Sequence, residues 1–136
     1  MTAEDLGAGR QFDDVIALCG YPVDIHSPNS DGGGASGEYP TANVYEIPYR
    51  SLVPEKVEGL LVAGRPISAT HEAHGAIRVM PPAFALGEAA GTAAAMALEW
   101  RVEPRAVPVP ELQSLLIQRG AYLGDRIVEK VEALKN

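Results

Sequence analysis

The first twenty residues show the apolar spacing of helices. Thr2 is followed three residues later by Asp5, which is typical of a helix start because each side chain can bond to the other residue's main-chain N–H group. Apolar residues between Phe12 and Cys19 then recur at helical spacing up to Gly20. We therefore predict a short helical region in this part of the chain.

Three segments that lack helical spacing follow. Residues 21–26 alternate like a strand, although Pro22 restricts such a strand to a sheet edge or to its first positions. Residues 27–41 are mostly Pro, Gly, Ser and Asn with almost no side chain to bury, which predicts a flexible loop. Residues 43–49 indicate a second extended segment.

The run Gly59-Leu-Leu-Val-Ala-Gly64 is a short, continuous apolar segment between glycines. This pattern is typical of a strand that is covered on both faces in a mostly parallel sheet. Such a strand requires neighbouring strands and covering helices. Residues 65–81 have no regular pattern and are predicted to be irregular.

A long alanine-rich helix is predicted over residues 82–101, because proline is favourable in a first turn and nothing afterwards interrupts the helical pattern. Its polar side chains are few, so the helix is expected to need cover over most of its circumference. A proline-rich link and two further helices, at 111–119 and 125–134, form a helical tail. One stripe of the long helix consists of apolar and small residues: Phe84, Gly87, Gly91, Ala94 and Leu98.

Composition narrows the class of protein. With 136 residues, of which 46% are hydrophobic, the chain has the size of one domain or of a piece of one. Its net charge of −7, from 18 acidic and 11 basic residues, argues against nucleic acid as a partner. No apolar run is long enough for a membrane span, and we expect no signal peptide because Met1 is followed by Thr-Ala-Glu-Asp and not by a basic and an apolar stretch. The single cysteine, Cys19, is expected to be a buried apolar residue of a cytoplasmic protein.

A glycine motif in the polar loop has the spacing of a dinucleotide-binding fingerprint. The motif is Gly32-Gly-Gly34-Ala-Ser-Gly37, and its glycines would hold a pyrophosphate only between a buried strand and a helix. Here it follows Ser-Pro-Asn-Ser-Asp and precedes Glu-Tyr-Pro, so a loop is the better interpretation.

Two histidines three residues apart, His71 and His74, are a weak candidate for a metal site with Asp24 and His26 as further ligands. The spacing differs from H-E-x-x-H, and no helical pattern surrounds the pair to bring both imidazoles to one face. We therefore predict no metal site.

Four ordered motifs within residues 47–98 carry a resemblance to a known family. They read Ile-Pro-Tyr-Arg-Ser-Leu-Val-Pro, Gly-Leu-Leu-Val-Ala-Gly-Arg-Pro-Ile-Ser, His-Gly-Ala-Ile-Arg-Val-Met-Pro-Pro and Ala-Leu-Gly-Glu-Ala-Ala-Gly-Thr-Ala-Ala-Ala. In this order they closely resemble the C-terminal region of FAD-dependent oxidoreductases, and weaker similarity extends over the rest of the chain.

The resemblance implies an α/β fold, namely the C-terminal portion of an FAD-binding domain of the glutathione-reductase type. This portion would have few strands, the long Ala/Gly-rich helix and the helical tail. The single unit 1–136 would comprise a lead-in at 1–46, a flavin-edge strand, loop and helix at 47–101, and the tail at 102–136.

The resemblance also implies the position of the flavin. The strand at 60–63 would end beside the ribityl and pyrophosphate portion, and the long helix would direct its N-terminus at the pyrimidine edge of the ring. The run from His74 to Arg78 is similar to an element of fumarate reductases and aspartate oxidases in which the arginine faces the substrate. The implied catalytic residues are Arg78, His71 and His74, and the implied cofactor contacts are Gly64, Arg65, Gly75, Arg78, Met80, Pro81, Pro82 and Ala83.

The sequence alone leaves ordinary roles open for these side chains. Arg78 would otherwise form a surface or structural ion pair, and His71 and His74 would otherwise be hydrogen-bonded loop residues.

The complete protein is expected to transfer a hydride from a small organic substrate to FAD. The chain has no strand-turn-helix fingerprint for the ADP half of the cofactor, so by itself it is expected to be an incomplete enzyme. Its expected partner is an N-terminal FAD-binding part or a separate subunit. The alternatives are a non-enzymatic chain that forms a homo-oligomer and, more distantly, a metal hydrolase.

Overall fold

The computed structural model describes residues 1–25 and 39–134 of the chain. These residues form a mixed α/β, mostly helical structure around a two-stranded antiparallel sheet. Short 3-10 helices lie at Tyr49–Leu52 and Pro104–Ala106. The other elements, in chain order, are α1 (Ala3–Ala8), β1 (Val15–Cys19), β2 (Tyr45–Pro48), α2 (His71–Ile77), α3 (Met80–Trp100), α4 (Val109–Gln118) and α5 (Asp125–Ala133).

The helix start predicted at Thr2 is confirmed. Its hydroxyl accepts a hydrogen bond from the Asp5 N–H at 3.3 Å, and the Asp5 carboxylate accepts one from the Thr2 N–H at 2.8 Å. Gly9 ends α1 with a φ of 56°, a left-handed conformation that glycine adopts without steric strain.

The helix predicted over residues 12–19 is wrong, because residues 15–19 form β1 and residues 12–14 are irregular. The strand pairs antiparallel with β2, with Ala17 opposite Ile47. Four of its five residues are buried, so both faces of the strand are covered and its sequence shows no polar alternation. A short apolar run of this kind fits a buried helical turn equally well. The second extended segment, predicted at 43–49, is confirmed by β2.

The strand predicted at 60–63 is also wrong within the described residues. Leu60 is 44% exposed and residues 61–64 are half-buried. The segment has no regular secondary structure, and its Val62 N–H donates to the Leu52 carbonyl at 2.8 Å. The sheet of the described residues contains only β1 and β2, so no neighbouring strand forms a ladder with the segment.

Residues 65–81, predicted to be irregular, contain helix α2. Thr70 is its N-cap, and the Thr70 hydroxyl accepts a hydrogen bond from the Ala73 N–H at 3.4 Å. Ala73, Ala76 and Ile77 are buried, so one side of the helix faces the core. A helix of seven residues in which Ile77 is the only large apolar side chain has too few apolar positions to reveal its period in the sequence.

Residues 21–25 form no strand, contrary to the prediction for 21–26. Pro22 has no N–H to donate to a ladder, and the Asp24 N–H donates instead to the carbonyl of Gly75 in α2 at 3.4 Å. His26, most of the loop predicted at 27–41 and the whole glycine motif lie outside the described residues.

The long helix α3 begins two residues before its predicted start and has Pro81 and Pro82 in its first turn. Its buried side packs against β1, α4 and both 3-10 helices. The apolar stripe lies on the opposite side, where Phe84 is 75% exposed and Leu98 81% exposed. The residues that α3 buries are Pro82, Leu86, Ala89, Thr92, Ala93, Met96 and Ala97.

The predicted tail is confirmed by α4 and α5, which complete the core beside β1. Leu112 and Leu116 of α4 and Ile127 of α5 are almost fully buried. Gln113, also buried, donates from its amide nitrogen to the carbonyls of Asp13 at 2.9 Å and Val15 at 3.0 Å. None of the helices in the two described ranges is both long enough and apolar enough to span a bilayer.

Candidate functional site

The predicted catalytic residues share one small cavity. Its volume is about 90 Å³, and it opens where α2 meets the segment that follows β1. All three predicted catalytic side chains contribute to it, together with one predicted cofactor contact. The lining residues are Asp24, Ile25, His71, His74, Gly75 and Arg78.

Helix α2 brings these residues together. His71, His74, Gly75 and Arg78 follow one another at helical spacings of three, one and three residues, which places them on one face. The sequence contained this spacing, but the segment was predicted to be irregular, so the shared face was missed. Within the described residues, the structure therefore contradicts the expectation that no helix surrounds the two histidines.

Gly75 allows the backbone on the other side of the cavity to approach α2. A β-carbon at this position would lie 3.0 Å from the Asp24 carbonyl oxygen and 3.1 Å from Cγ1 of Ile25. Both distances are shorter than ordinary van der Waals contacts, so a larger residue would push the two walls apart.

Arg78 follows the last turn of α2, and its exposed side chain reaches across to the same wall. Its guanidinium donates from Nη2 to the Asp24 carbonyl oxygen at 2.9 Å. No carboxylate of the described residues lies within ion-pair distance of it, in contrast to Arg50, which pairs with Asp14. The ion-pair alternative for Arg78 therefore has no support in the described part of the chain.

His74 connects the cavity to the segment that precedes α2. Its Nε2 lies 2.6 Å from the main-chain carbonyl oxygen of Arg65. Because a carbonyl only accepts, Nε2 carries the hydrogen, and in the neutral ring Nδ1 is then an acceptor. The hydrogen bond joins two segments that were predicted separately as parts of the site.

The other predicted cofactor contacts lie outside the cavity. Gly64 has a φ of 78° with open space where a β-carbon would be, and the Arg65 side chain is exposed. Met80 is 72% exposed, whereas Ala83 is half-buried. Pro81 and Pro82 line a second cavity of about 340 Å³ with Leu18, Cys19, Gly20, Tyr21 and Val79.

Cys19 and Tyr45 lie behind α2 and hold the sheet against it. The Tyr45 hydroxyl is 2.9 Å from the Tyr21 carbonyl oxygen and 3.2 Å from that of Ala76. Burial, and secondarily the contact with Cys19, raises the pKa of Tyr45 far above the ordinary value of a phenol. Cys19 is buried, as predicted, and these two side chains have a packing role.

The metal hypothesis has no support within residues 1–25 and 39–134. In these ranges no three His, Cys, Asp or Glu side chains lie close enough together to hold an ion. His26, the remaining ligand of that hypothesis, lies outside them.

Residues 1–25 and 39–134 do not by themselves form a site for a complete FAD. The cavity of about 90 Å³ is well below the roughly 300 to 1,000 Å³ of pockets that enclose drug-sized ligands. In the described residues β1 is followed by irregular chain, not by the helix that would hold a pyrophosphate at its N-terminus. Arg65, Arg78 and Met80, three of the predicted cofactor contacts, are exposed.

Comparison with known proteins gives one match. The sequence model of the family described as FAD dependent oxidoreductase matches residues 1–116. No curated protein and no solved structure was found to match the chain. The family match covers most of the chain, including both strands, the cavity, α3 and nearly all of α4. The chain therefore belongs to the FAD-dependent oxidoreductase family.

Proposed function

We propose that this chain is the C-terminal part of an FAD-dependent oxidoreductase and forms the flavin-edge side of its active site. The shared cavity supports this proposal most directly, because it unites His71, His74 and Arg78 immediately before the start of α3. The bound FAD would supply the two-electron chemistry, with a small organic substrate as hydride donor. The proposed setting is a cytoplasmic enzyme of the glutathione-reductase type, distantly related to fumarate reductases and aspartate oxidases.

Arg78 would carry most of the positive charge at the flavin edge. A helix N-terminus also favours anions, but Pro81 and Pro82 remove two N–H donors from the first turn of α3. The Ala83 N–H is directed to the Val79 carbonyl at 3.4 Å. Only Met80 is left in this turn with an N–H that makes no such bond, so the guanidinium is the stronger source of charge.

The exposed face of α3 supports a composite enzyme. Met80, Phe84 and Leu98 are each more than two-thirds exposed on this face, which is unusual for large apolar side chains on one helix. A dinucleotide-binding part would cover this face and bring further strands to residues 60–63. It would belong either to the same polypeptide or to a second subunit.

Self-association of a non-enzymatic chain is the second candidate, and the same face of α3 favours it. Small residues at Gly87 and Gly91 would let a second helix approach closely. The 21-residue helix presents a strip roughly 30 Å by 10 Å, or about 300 Å². Stable interfaces bury about 800 Å² per partner, so this strip alone is too small for a stable homodimer.

A flavin titration distinguishes the two candidates. We expect the purified chain to bind FAD weakly, and to bind it tightly with a shifted visible spectrum once a dinucleotide-binding part is present. FMN, which lacks the ADP half, should gain much less from that part. Light scattering on the same samples gives the mass of the assembly. A stable oligomer that binds no flavin in either state would contradict the proposal and support self-association.

The role of Arg78 is tested in the assembled flavoprotein. Arg78→Ala should lower the reduction potential of the flavin and slow its reduction by substrate about tenfold or more, because a charge beside the flavin is removed. Arg78→Lys should restore part of both. Lys56→Ala removes one charge from an exposed loop and serves as the control. An unchanged potential and an unchanged rate in Arg78→Ala would refute the assignment.

A further inference from the structure

The segment 53–66 carries two of the predicted cofactor contacts, Gly64 and Arg65, and is not held in place by burial. It joins Leu52 to Ile67, which are 0% and 5% exposed, but none of its own residues is buried. The hydrophobic effect therefore contributes little to the position of this segment. Its path must be set mainly by hydrogen bonds to its main chain.

Two charged side chains at the start of the helical tail bind this main chain. The Glu103 carboxylate accepts a hydrogen bond from the Gly59 N–H at 2.8 Å. The Arg105 guanidinium donates to three main-chain carbonyls at 3.3 to 3.4 Å. These carbonyls belong to Pro54, Glu55 and Val57. Glu103 and Arg105 thus form a clamp on residues 54–59, with the stronger hydrogen bonds that charged groups make.

The clamp has a base that is anchored in the core. Pro104 lies between its two residues, and the Pro104 carbonyl accepts a hydrogen bond from the hydroxyl of buried Tyr49 at 2.7 Å. The Ala106 N–H donates to the Glu103 carbonyl at 2.8 Å, and the next residue, Val107, is 4% exposed. An exposed loop is therefore connected to the stable part of the molecule through the clamp.

The other end of the segment is attached to the candidate site. The Arg65 carbonyl lies 2.6 Å from Nε2 of His74, and the Val62 N–H donates to the Leu52 carbonyl at 2.8 Å. Residues 60–65 accordingly lie between the clamp on one side and helix α2 on the other. A change at the clamp is expected to reach Arg65 through this continuous stretch of main chain.

We infer that Glu103 and Arg105 are positioning residues of the flavin site. Neither lines the cavity of His71, His74 and Arg78. They hold residues 60–65 in one conformation before the cofactor binds, so the cofactor does not have to order this stretch itself. The inference rests on the proposed function for the identity of the cofactor. It gives the start of the helical tail a part in cofactor binding.

The first test measures amide hydrogen exchange by nuclear magnetic resonance in the full chain without flavin. Glu103→Ala and Arg105→Ala should each speed exchange at Gly59 and Val62 about fivefold, because a bond that opposes local opening is lost. Exchange in β1 should stay unchanged, since the core keeps its contacts. Unchanged exchange at Val62 in both variants, or the same acceleration throughout β1, would overturn the inference.

Matched variants separate the clamp from a general effect of charge. Glu103→Gln keeps an oxygen that can accept from the Gly59 N–H and should restore most of the protection. Arg105→Lys keeps the charge but not the planar fork and should restore only a small part. Arg101→Gln and Glu99→Ala remove charges from exposed positions and should have no effect. Equal effects of Arg101→Gln and Arg105→Ala would contradict a specific clamp.

The second test is made in the assembled flavoprotein. Glu103→Ala and Arg105→Ala should weaken FAD binding about fivefold, because FAD must then order residues 60–65. The reduction potential should not change, since Arg78 is retained. Glu103→Gln should restore the affinity. Loss of stability alone would lower the thermal midpoint of unfolding without changing the affinity of the folded protein. Wild-type affinity for FAD in a variant with faster exchange at Val62 would therefore overturn the positioning role.

The clamp and the proposed function fail in different ways. Hydrogen exchange requires no flavin, so faster exchange in the clamp variants of a protein that binds no FAD in any assembly would reject the proposed function and leave the clamp a structural contact. Tight FAD binding and Arg78-dependent reduction that do not respond to the clamp variants would keep the proposed function and overturn the inference.

Discussion

Polar side chains in the core of this molecule and on its cavity side differ in their bonding partners. In the core, formed by β1, β2, α4 and α5, the amide of Gln113 bonds to two main-chain carbonyls and Arg126 donates to Glu46 at 3.0 Å. On the cavity side, formed by α2 and the first turns of α3, Arg78 is exposed and has no carboxylate partner in the described residues.

Apolar side chains show the same division. Leu116 in the core is 1% exposed, whereas Phe84 on the outer face of α3 is 75% exposed. The core buries its large apolar side chains, while the cavity side presents charge and apolar surface together. Such a surface is suited to binding another molecule, so the two regions should respond differently to equivalent substitutions.

The largest difference is expected between two leucine truncations. Leu116→Ala should lower the free energy of unfolding by about 2 to 5 kcal/mol, because it leaves a cavity in the core. Leu98→Ala, at a position that is 81% exposed, should change it by no more than about 0.5 kcal/mol. Urea unfolding followed by circular dichroism measures both. Equal losses would mean that the outer face of α3 is covered in solution, and the contrast would not hold.

A smaller difference is expected between two glycine substitutions in helices. Gly75→Ala should destabilise the protein by about 1 kcal/mol or more, because its β-carbon would be 3.0 Å from the Asp24 carbonyl oxygen. Gly87→Ala meets no atom within 4 Å and should stabilise α3 by up to about 1 kcal/mol. Thermal unfolding of the two variants gives the sign of each change. Stabilisation by Gly75→Ala would show that the cavity wall is not tightly packed.

The smallest difference concerns two tyrosines. Tyr49 donates to the Pro104 carbonyl at 2.7 Å, so Tyr49→Phe should cost about 1 kcal/mol at neutral pH. Exposed Tyr122 is the control, and Tyr122→Phe should cost less than about 0.5 kcal/mol.

The Tyr49 variant also has a signature at high pH. Burial raises the pKa of Tyr49 from 10.0 to about 12. Between these values the unfolded chain loses the phenolic proton and the folded chain keeps it, so the free energy of unfolding falls as the pH rises. Tyr49→Phe should reduce the slope of the free energy of unfolding against pH. The slope that remains should come from buried Tyr45, because its pKa is raised as well. Urea titrations from pH 9 upwards measure the slope, and an identical slope in the variant would contradict the assignment.

The sequence predicted the longer helices well because their signals are local. Proline in the first turn of α3, the apolar spacing of α4 and α5, and the capping pair of Thr2 and Asp5 each depend on residues within a few positions of one another. Three of the candidate site residues share the cavity, and their catalytic role stays a prediction. Their common face on α2 was not predicted, because the helix is short and only Ile77 in it has a large apolar side chain.

The misassigned segments depend on partners that are distant in the sequence. Residues 15–19 form a strand because β2, about thirty residues later, pairs with them. Residues 60–63 have the composition of a strand but lack a described strand to pair with. Both segments are apolar. Whether each forms a strand depended on the presence of a second strand with which it could pair.

By itself the sequence determined the family, the N-cap of α1, the presence of α3, α4 and α5, and the residue types available for a site. Only the tertiary structure decided which face of α3 is buried. Alanine and glycine occupy most of the circumference of this helix, so its sequence gives little preference for burying one face over another. The tertiary structure also decided that the Asp24 carbonyl, some fifty residues from Arg78, forms the opposite wall of the cavity. Local propensity acts over a few residues, whereas packing and hydrogen bonding select among distant partners, so the shape of the site had to come from the fold.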